Sequence, residues 1–252
     1  MTSHQFDYKV MPPPPDLAPF VESYWMLINQ ADEPRAITVL PDGRIDLIIS
    51  RSATDPFHIA LLGLEIGPAP TMLAPQTIMF ATSFRLLAVE YLLKTSVAGL
   101  LNEGLMLPAD HWGLSENDLR DFDGFCATMN AIIRERITGE PDGRKVQLFE
   151  LIYASQGEMP VKELADKVYW SRRQINRYFT QQFGLSLKSY CSILRFRAAF
   201  PQIKEGKLFP ELNFTDQAHF IREVKKFAGV TPRALHKNQD GRFIQFTTLP
   251  PE

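Results

Sequence analysis

The sequence predicts an α+β protein: a β-rich N-terminal half with appended helices, followed by an all-helical half built on one capped helix written twice. Three observations carry that expectation. Runs of β-branched residues bounded by Pro and Gly occupy much of 36–85, and the apolar period turns helical after Arg85. Charge also changes sign along the chain. Residues 1–144 hold 10 Lys and Arg against 19 Asp and Glu, a net of −9, whereas residues 145–240 hold 16 against 9, a net of +7. A basic half beside an acidic half suits one part that meets a polyanion and one that avoids it.

Taken in order, the four prolines of 12–15 form a stiff extended lead-in. Asp16 is expected to cap a short helix through Phe20, Val21, Tyr24 and Trp25. Residues 36–40 and 45–50 read as a hairpin around Pro41-Asp42-Gly43-Arg44. Further strands are expected at 58–62 and 76–85, with Gly67-Pro68-Ala69-Pro70 breaking the chain between them. Short apolar helical pieces follow at 86–94 and 96–101. Ser115 and Asp118 stand at capping-box spacing ahead of a helix carrying Leu119 and Phe122. An amphipathic helix with Phe125, Met129, Ile132 and Ile133 comes next. Thr138-Gly139-Glu140-Pro141-Asp142-Gly143 interrupts the period where the charge changes sign and reads as a linker. The expected domains are therefore 1–140 and 145–240, with a tail at 241–252.

In the basic half, 146–154 is a helix with Leu148, Leu151 and Ile152 on one face, and 161–168 is a scaffold helix in which Leu164 and Ala165 pack closely. The repeated unit comes next. An N-cap (Ser171, Asp216) is followed by an apolar residue four later (Ile175, Phe220) and an arginine six later (Arg177, Arg222). Another apolar residue stands eight later (Phe179, Val224), and a glycine stop thirteen later (Gly184, Gly229). Ser171 with Gln174 fits a capping box. Each unit buries one stripe and presents another. Arg172, Arg173, Asn176 and Arg177 are the polar face of the first, and Gln217, Ala218, His219, Ile221 and Arg222 that of the second. Arginine pairs bidentately with guanine and an amide with adenine, so such a face suits the reading helix of a helix-turn-helix. Lys188, Lys225 and Lys226 are phosphate-contact candidates that add affinity without sequence information.

Two such helices joined by a helical stretch over 187–204 resemble the paired helix-turn-helix domain of AraC/XylS-type transcriptional regulators. The likeness spans about 147–238 and is most specific in Asp216-Gln217-Ala218-His219-Phe220-Ile221-Arg222 with Gly229-Val230-Thr231-Pro232. It implies DNA binding by two reading helices in successive major grooves, about 34 Å apart. A joining stretch of roughly 18 residues at about 1.5 Å each spans some 27 Å, although Pro201 should kink or divide it. One departure stands out: 206–215, which holds Pro210, is too short for the scaffold helix that the family places before its second reading helix. Pro41-Asp42-Gly43-Arg44-Ile45-Asp46-Leu47-Ile48, with 12–25 and 80–85, looks like an uncharacterised domain found ahead of such DNA-binding halves, and that likeness implies a small, cupin-like sensor fold. Double-stranded DNA is the partner expected for the basic half, and a small-molecule effector or a second copy of the chain for the acidic half. RNA polymerase is a further partner of such a regulator. The alternative is a DNA-anchored interaction module with no effector.

Other chemistries find little support. Cys126 and Cys191 lie in different halves and give neither a disulfide framework nor a metal spacing, and His58 and His111 stand alone. Trp25, Tyr91 and Trp112 read as core aromatics, with a ligand pocket as the alternative. Asp46, set between Ile45 and Leu47, requires hydrogen-bond partners if buried, from backbone or from an effector. No dinucleotide fingerprint, phosphate loop, Gly-x-Ser-x-Gly or His-Glu-x-x-His occurs, so no enzyme, cofactor or metal is expected. No apolar run approaches the roughly 18 residues of a membrane span and no signal-peptide pattern opens the chain, which makes the cytoplasm the expected location.

Overall fold

Eight strands precede the long helices in the computed structural model, which describes residues 7–209, 214, 216–238 and 241–247. They are β1 (Asp7–Met11), β2 (Val21–Ile28), β3 (Arg35–Val39), β4 (Ile45–Arg51), β5 (His58–Leu62), β6 (Ala69–Leu73), β7 (Ile78–Phe84) and β8 (Gly104–Leu107). Six of them form one antiparallel sheet in the order β1-β2-β7-β4-β5-β8, while β3 and β6 make a separate two-stranded ribbon. The helices that follow are α1 (Phe122–Arg136), α2 (Gly143–Ala154), α3 (Val161–Lys167), α4 (Arg172–Phe183), α5 (Leu187–Ala198), α6 (Phe200–Lys204), α7 (Gln217–Ala228), α8 (Pro232–Lys237) and α9 (Ile244–Thr247). The chain gathers into two compact units that part at residues 141 and 142. Segments 36–43 and 64–71, which lie in the expected N-terminal domain by sequence, cluster with the helical unit.

The first unit is the six-stranded sheet covered on one face by α1. Helix α1 starts at Asp121, whose side chain accepts from the amides of Asp123 and Gly124, and its stripe of Phe125, Met129 and Ile133 is buried. Phe80 of β7 meets Phe122 and Phe125 with ring centroids 5.3 and 5.7 Å apart, and the hydroxyl of Tyr24 in β2 donates to Asn130 Oδ1 at 2.7 Å. Burying such side chains stabilises by about 1.5–3 kcal/mol each. Among the described residues, no helix is long and apolar enough to cross a membrane.

Several expectations for this unit need correction. The helix expected through Phe20, Val21, Tyr24 and Trp25 is a run of turns over 15–20 and then strand β2, whose backbone pairs with β1 and β7. Asp16 caps nothing there; it accepts two bonds from the Arg134 guanidinium, at 2.7 and 3.1 Å, which hold its carboxyl below the usual range. The sheet outcompetes the short helix because β2, flanked by β1 and β7, pairs its backbone amides and carbonyls on both edges while burying Val21, Tyr24 and Leu27. The hairpin expected across residues 41–44 does not form. Its strands exist, but β4 pairs with β5 and β7, and β3 pairs with β6. Leu40 is 1% exposed, and the turn is drawn onto the helical unit instead. Ser115 and Asp118 do form a capping box, but it opens a 3-10 helix, Glu116–Arg120, and Phe122 begins α1. Strands β1, β6 and β8 went unforeseen. Trp112 lies edge-on to Phe84 and Tyr91 edge-on to Phe20.

The second unit comprises α2 to α9 with segments 36–43 and 64–71. Leu148 and Ile152 of α2 are buried as expected, together with Phe149, while Leu151 is only half-buried. The joining stretch is two helices: α5 ends at Ala198, and α6 carries Pro201 in its first turn, where a missing amide costs nothing. Of the short support expected over 206–215, residues 210–213 and 215 lie outside the described residues. The last segment, 243–249, is expected as a strand or loose tail. Phe243 makes a single parallel bridge with Thr38, Ile244–Thr247 is helical, and 248–249 lie outside the described residues.

Candidate nucleic-acid interface

Helix α4 is held by the two helices before it. Leu164 and Ala165 of α3 are buried beneath it, and Phe149 of α2 lies 5.9 Å from Phe179 and 6.1 Å from Phe183. Between α3 and α4, Tyr169 takes φ 53° and the Trp170 amide donates to the Ala165 carbonyl at 3.1 Å, which turns the chain sharply. Ser171 then closes the capping box. Its Oγ accepts from the Gln174 amide at 3.2 Å, and its own amide donates to Gln174 Oε1 at 2.9 Å. Gly184 ends the helix at φ 77°, the left-handed geometry that glycine adopts without strain.

With Ile175, Phe179 and Phe183 fully buried, the opposite face is left to solvent. Arg172, Arg173 and Arg177 are exposed there, and Asn176 is half-buried between the two faces. Gln174 is exposed but engaged in the cap. A second basic layer borders the helix, since Lys145 Nζ stands 5.1 Å from the Tyr178 ring centroid and Arg144 packs on Trp170 at 5.2 Å. Three guanidiniums on one short face, close to a helix N-terminus, provide forked donors for guanine edges or phosphate oxygens.

Helix α7 repeats the arrangement with a simpler cap. Asp216 Oδ1 accepts from the His219 amide at 2.8 Å, and Gly229 stops the helix at φ 70°. Phe220, Val224, Phe227 and Ala228 are buried, with the Phe227 ring 5.3 Å from Phe196 of α5. Gln217, Ala218, Arg222, Lys225 and Lys226 are exposed, while Ile221 is half-buried. His219 is half-buried with its ring edge-on to Phe214 at 5.7 Å, so part of that side chain is engaged in packing. Lys226 Nζ lies 4.5 Å from the Phe227 ring centroid, and Lys188 is exposed on the first turn of α5.

One basic residue escaped the sequence reading although the repeat contains it. Lys188 stands seventeen residues after the cap Ser171, and Arg233 stands seventeen after the cap Asp216. The structure places both alike, exposed in the first turn of the helix that follows a reading helix, with Ser186 and Thr231 as N-caps. Tyr169, an aromatic residue 89% exposed just ahead of α4, also escaped the sequence reading; no periodic signal marks it.

In the first unit, Asp46 is half-buried and accepts from Ser83 Oγ, while Trp25 Nε1 donates to Ser83 Oγ at 3.0 Å and lies 3.4 Å from Asp46 Oδ1. Cys126 and Cys191 are free and buried, and burial pushes their thiols up to about 12 and about 11. Among the described residues, no three His, Cys, Asp or Glu side chains gather as a metal site.

Comparison with known proteins follows the same division. Residues 9–106 match a domain of unknown function (DUF6597), and residues 164–238 match a helix-turn-helix domain. No curated protein matches the chain. Among solved structures the chain is similar to ToxT from Vibrio cholerae O395, with 12% identity, a TM-score of 0.44, and coverage of 94% of this chain and 99% of that one. It is also similar to unsaturated fatty acid-bound ToxT from Vibrio cholerae strain SCE256, with 11% identity, a TM-score of 0.40, and coverage of 95% and 94%. The chain thus carries a helix-turn-helix domain of the AraC type over 164–238 and, ahead of it, a domain of unknown function over 9–106.

Proposed function

We propose that this chain is a transcription regulator of the AraC type, that it recognises a particular duplex sequence with both α4 and α7, and that its N-terminal half responds to a small molecule in the cytoplasm. The observation that carries the first part is the repeat itself: two capped helices, each with a buried stripe and an exposed face bearing arginine at the same step from the cap. In this reading Arg172, Arg173, Asn176 and Arg177 meet base edges and flanking phosphates. Gln217, Ala218, His219, Ile221 and Arg222 line the second contact, and Lys188, Lys225 and Lys226 hold phosphates. Residues 145–240 are the DNA-binding part and 1–140 the sensing or dimerising part. Asp46 draws its bonds from Ser83 and Trp25 within the sheet, so the effector part of the reading rests on the domain arrangement and not on this carboxylate.

Selection of bound duplexes from a random pool by the full chain tests the reading. A recurrent sequence whose affinity falls steeply with salt is expected, because neutralised phosphates release counterions. Recovery of unrelated sequences bound with equal affinity would sink the specificity claim. A DNA-anchored interaction module remains the second reading, favoured by Leu105 and Met106, 48% and 63% exposed on the edge strand β8. The two part on ligand response: a small molecule that raises the melting temperature of the full chain supports a sensor, whereas stabilisation only by a protein partner supports the module.

A further inference from the structure

The helical unit includes two segments that the sequence places far upstream, 36–43 and 64–71, and their contacts are specific. On one side, Gly43 sits against α5. A Cβ there would lie 3.0 Å from Leu194 Cδ2 and 3.2 Å from Tyr190 Cε2, and its φ of +78° disfavours any other residue. The Tyr190 side chain is fully buried; its hydroxyl donates to the Gly43 carbonyl at 3.0 Å, and its ring is 5.8 Å from Phe179 of α4. On another side, the Gln245 side chain clasps Leu40, with Oε1 accepting from the Leu40 amide and Nε2 donating to its carbonyl, both at 2.8 Å. The Thr38 amide donates to the Arg242 carbonyl at 2.7 Å. The second segment reaches the other reading helix, because a Cβ on Gly229, the stop of α7, would lie 3.3 Å from Pro68 Cγ.

We propose that segments 36–43 and 64–71 are a brace that belongs to the DNA-binding machinery and fixes the spacing of α4 and α7, with Tyr190 and Gln245 as its positioning residues. The joining stretch cannot do this alone. It is interrupted at Ala199, between α5 and α6, so no single unbroken helix sets the distance between the two reading helices. Because β3 and β6 pair with each other, 36–43 and 64–71 are joined as one piece, which touches α5 beside α4 through Gly43 and the stop of α7 through Pro68. The same strands run on through Arg44 into β4 and from β5 through Gly63, so a strain in the sheet has a covalent route to the spacing of the helices. The inference rests on DNA reading by both helices.

The test uses the full chain with Gln245→Ala and Tyr190→Phe, which remove the clasp and the hydroxyl without touching an exposed basic face. Duplexes selected by the unaltered protein are rebuilt with one base pair inserted or deleted between the two contacted blocks, a shift of about 3.4 Å. The unaltered protein should lose about tenfold or more in affinity for each shift. The variants should lose about threefold or less, while binding to a single block stays the same. An unchanged spacing penalty in both variants, or a loss spread equally over single and paired blocks, overturns the brace. Hydrogen exchange decides the matter independently of DNA. The α5 amides and those of 242–246 should exchange faster in Gln245→Ala, and unchanged protection there also overturns it. If the unaltered protein selects no sequence while exchange responds as expected, the DNA reading fails and the brace stands as a structural element only.

Discussion

Helix α4 rests on α2 and α3 before it and on Tyr190 of α5 just after it, whereas α7 rests on α5, α8 and Pro68 of an upstream segment. Both have a polar N-cap, a buried stripe and a left-handed glycine stop. Their exposed faces differ more. That of α4 is dense in arginine, while that of α7 mixes amide and cation with Ala218 and Ile221. A local scaffold sets a helix by short-range contacts, and a scaffold assembled from distant segments makes its position conditional on the rest of the fold. The first helix is thus suited to fixed base contacts and the second to a placement that can be adjusted.

The strongest way to break this contrast is to empty the two cores. Phe179→Ala and Phe220→Ala each remove a fully buried ring, and each should cost about 3–5 kcal/mol of stability in denaturant unfolding. Phe179→Ala should expose α2 to α4 as one body, while Phe220→Ala should leave their amide protection intact. Equal loss of protection throughout from both variants means the two reading units do not differ in support.

The next effect is on recognition. Arg173→Ala or Asn176→Ala should cost about 1–3 kcal/mol on the selected site and relax preference at one or two base pairs. Arg222→Ala should weaken all sequences nearly alike and make the salt slope shallower by about 1. If selection shows that Arg222→Ala changes the preferred sequence while Arg173→Ala and Asn176→Ala do not, the roles of the two helices are inverted.

Smaller still is the difference between the caps. Ser171→Ala removes the Oγ half of a reciprocal box, leaving the backbone amide to donate to Gln174, and should lower stability by about 1 kcal/mol, the ordinary value of an N-cap. Asp216→Ala removes the single bond to the His219 amide and should cost about half of that or more within the same range. Matched melting curves for the two variants test whether the box adds anything over a plain cap.

The mildest probe is Cys191, on α5, which lies between α4 and α7 in the chain. Burial raises its thiol from 9.0 to about 11, so the unfolded chain ionises first as pH rises. Its contribution is therefore complete below pH 9.0 and is lost between 9.0 and about 11. A thiol reagent at pH 8 should label it only on unfolding, and rapid labelling of the native chain would mean that α5 opens readily.

The helical half was legible because its signals are local. A cap, a stripe at spacing four and a glycine stop act within one or two turns, so Ser171, Ile175, Phe179 and Gly184 could be assigned roles from spacing alone. The same repeat carried Arg233, at the step from Asp216 that Lys188 keeps from Ser171, and counting past the glycine would have found it. Tyr169 had no such signal, since its exposure follows from a turn whose left-handed residue is usually smaller.

Strand partners were another matter. The sequence alone placed extended segments at 36–40, 45–50, 58–62 and 76–85, close to β3, β4, β5 and β7, because β-branched residues fit a pleated surface. Only the tertiary structure decided that residues 21–28 join them as a strand, that β4 pairs with β7 while β3 turns away to β6, and that Gly43 lodges against Tyr190. Periodicity records which side of a segment is apolar but not which apolar surface it meets. The choice between a neighbouring strand and a distant helix is made by the burial that each offers across the whole fold.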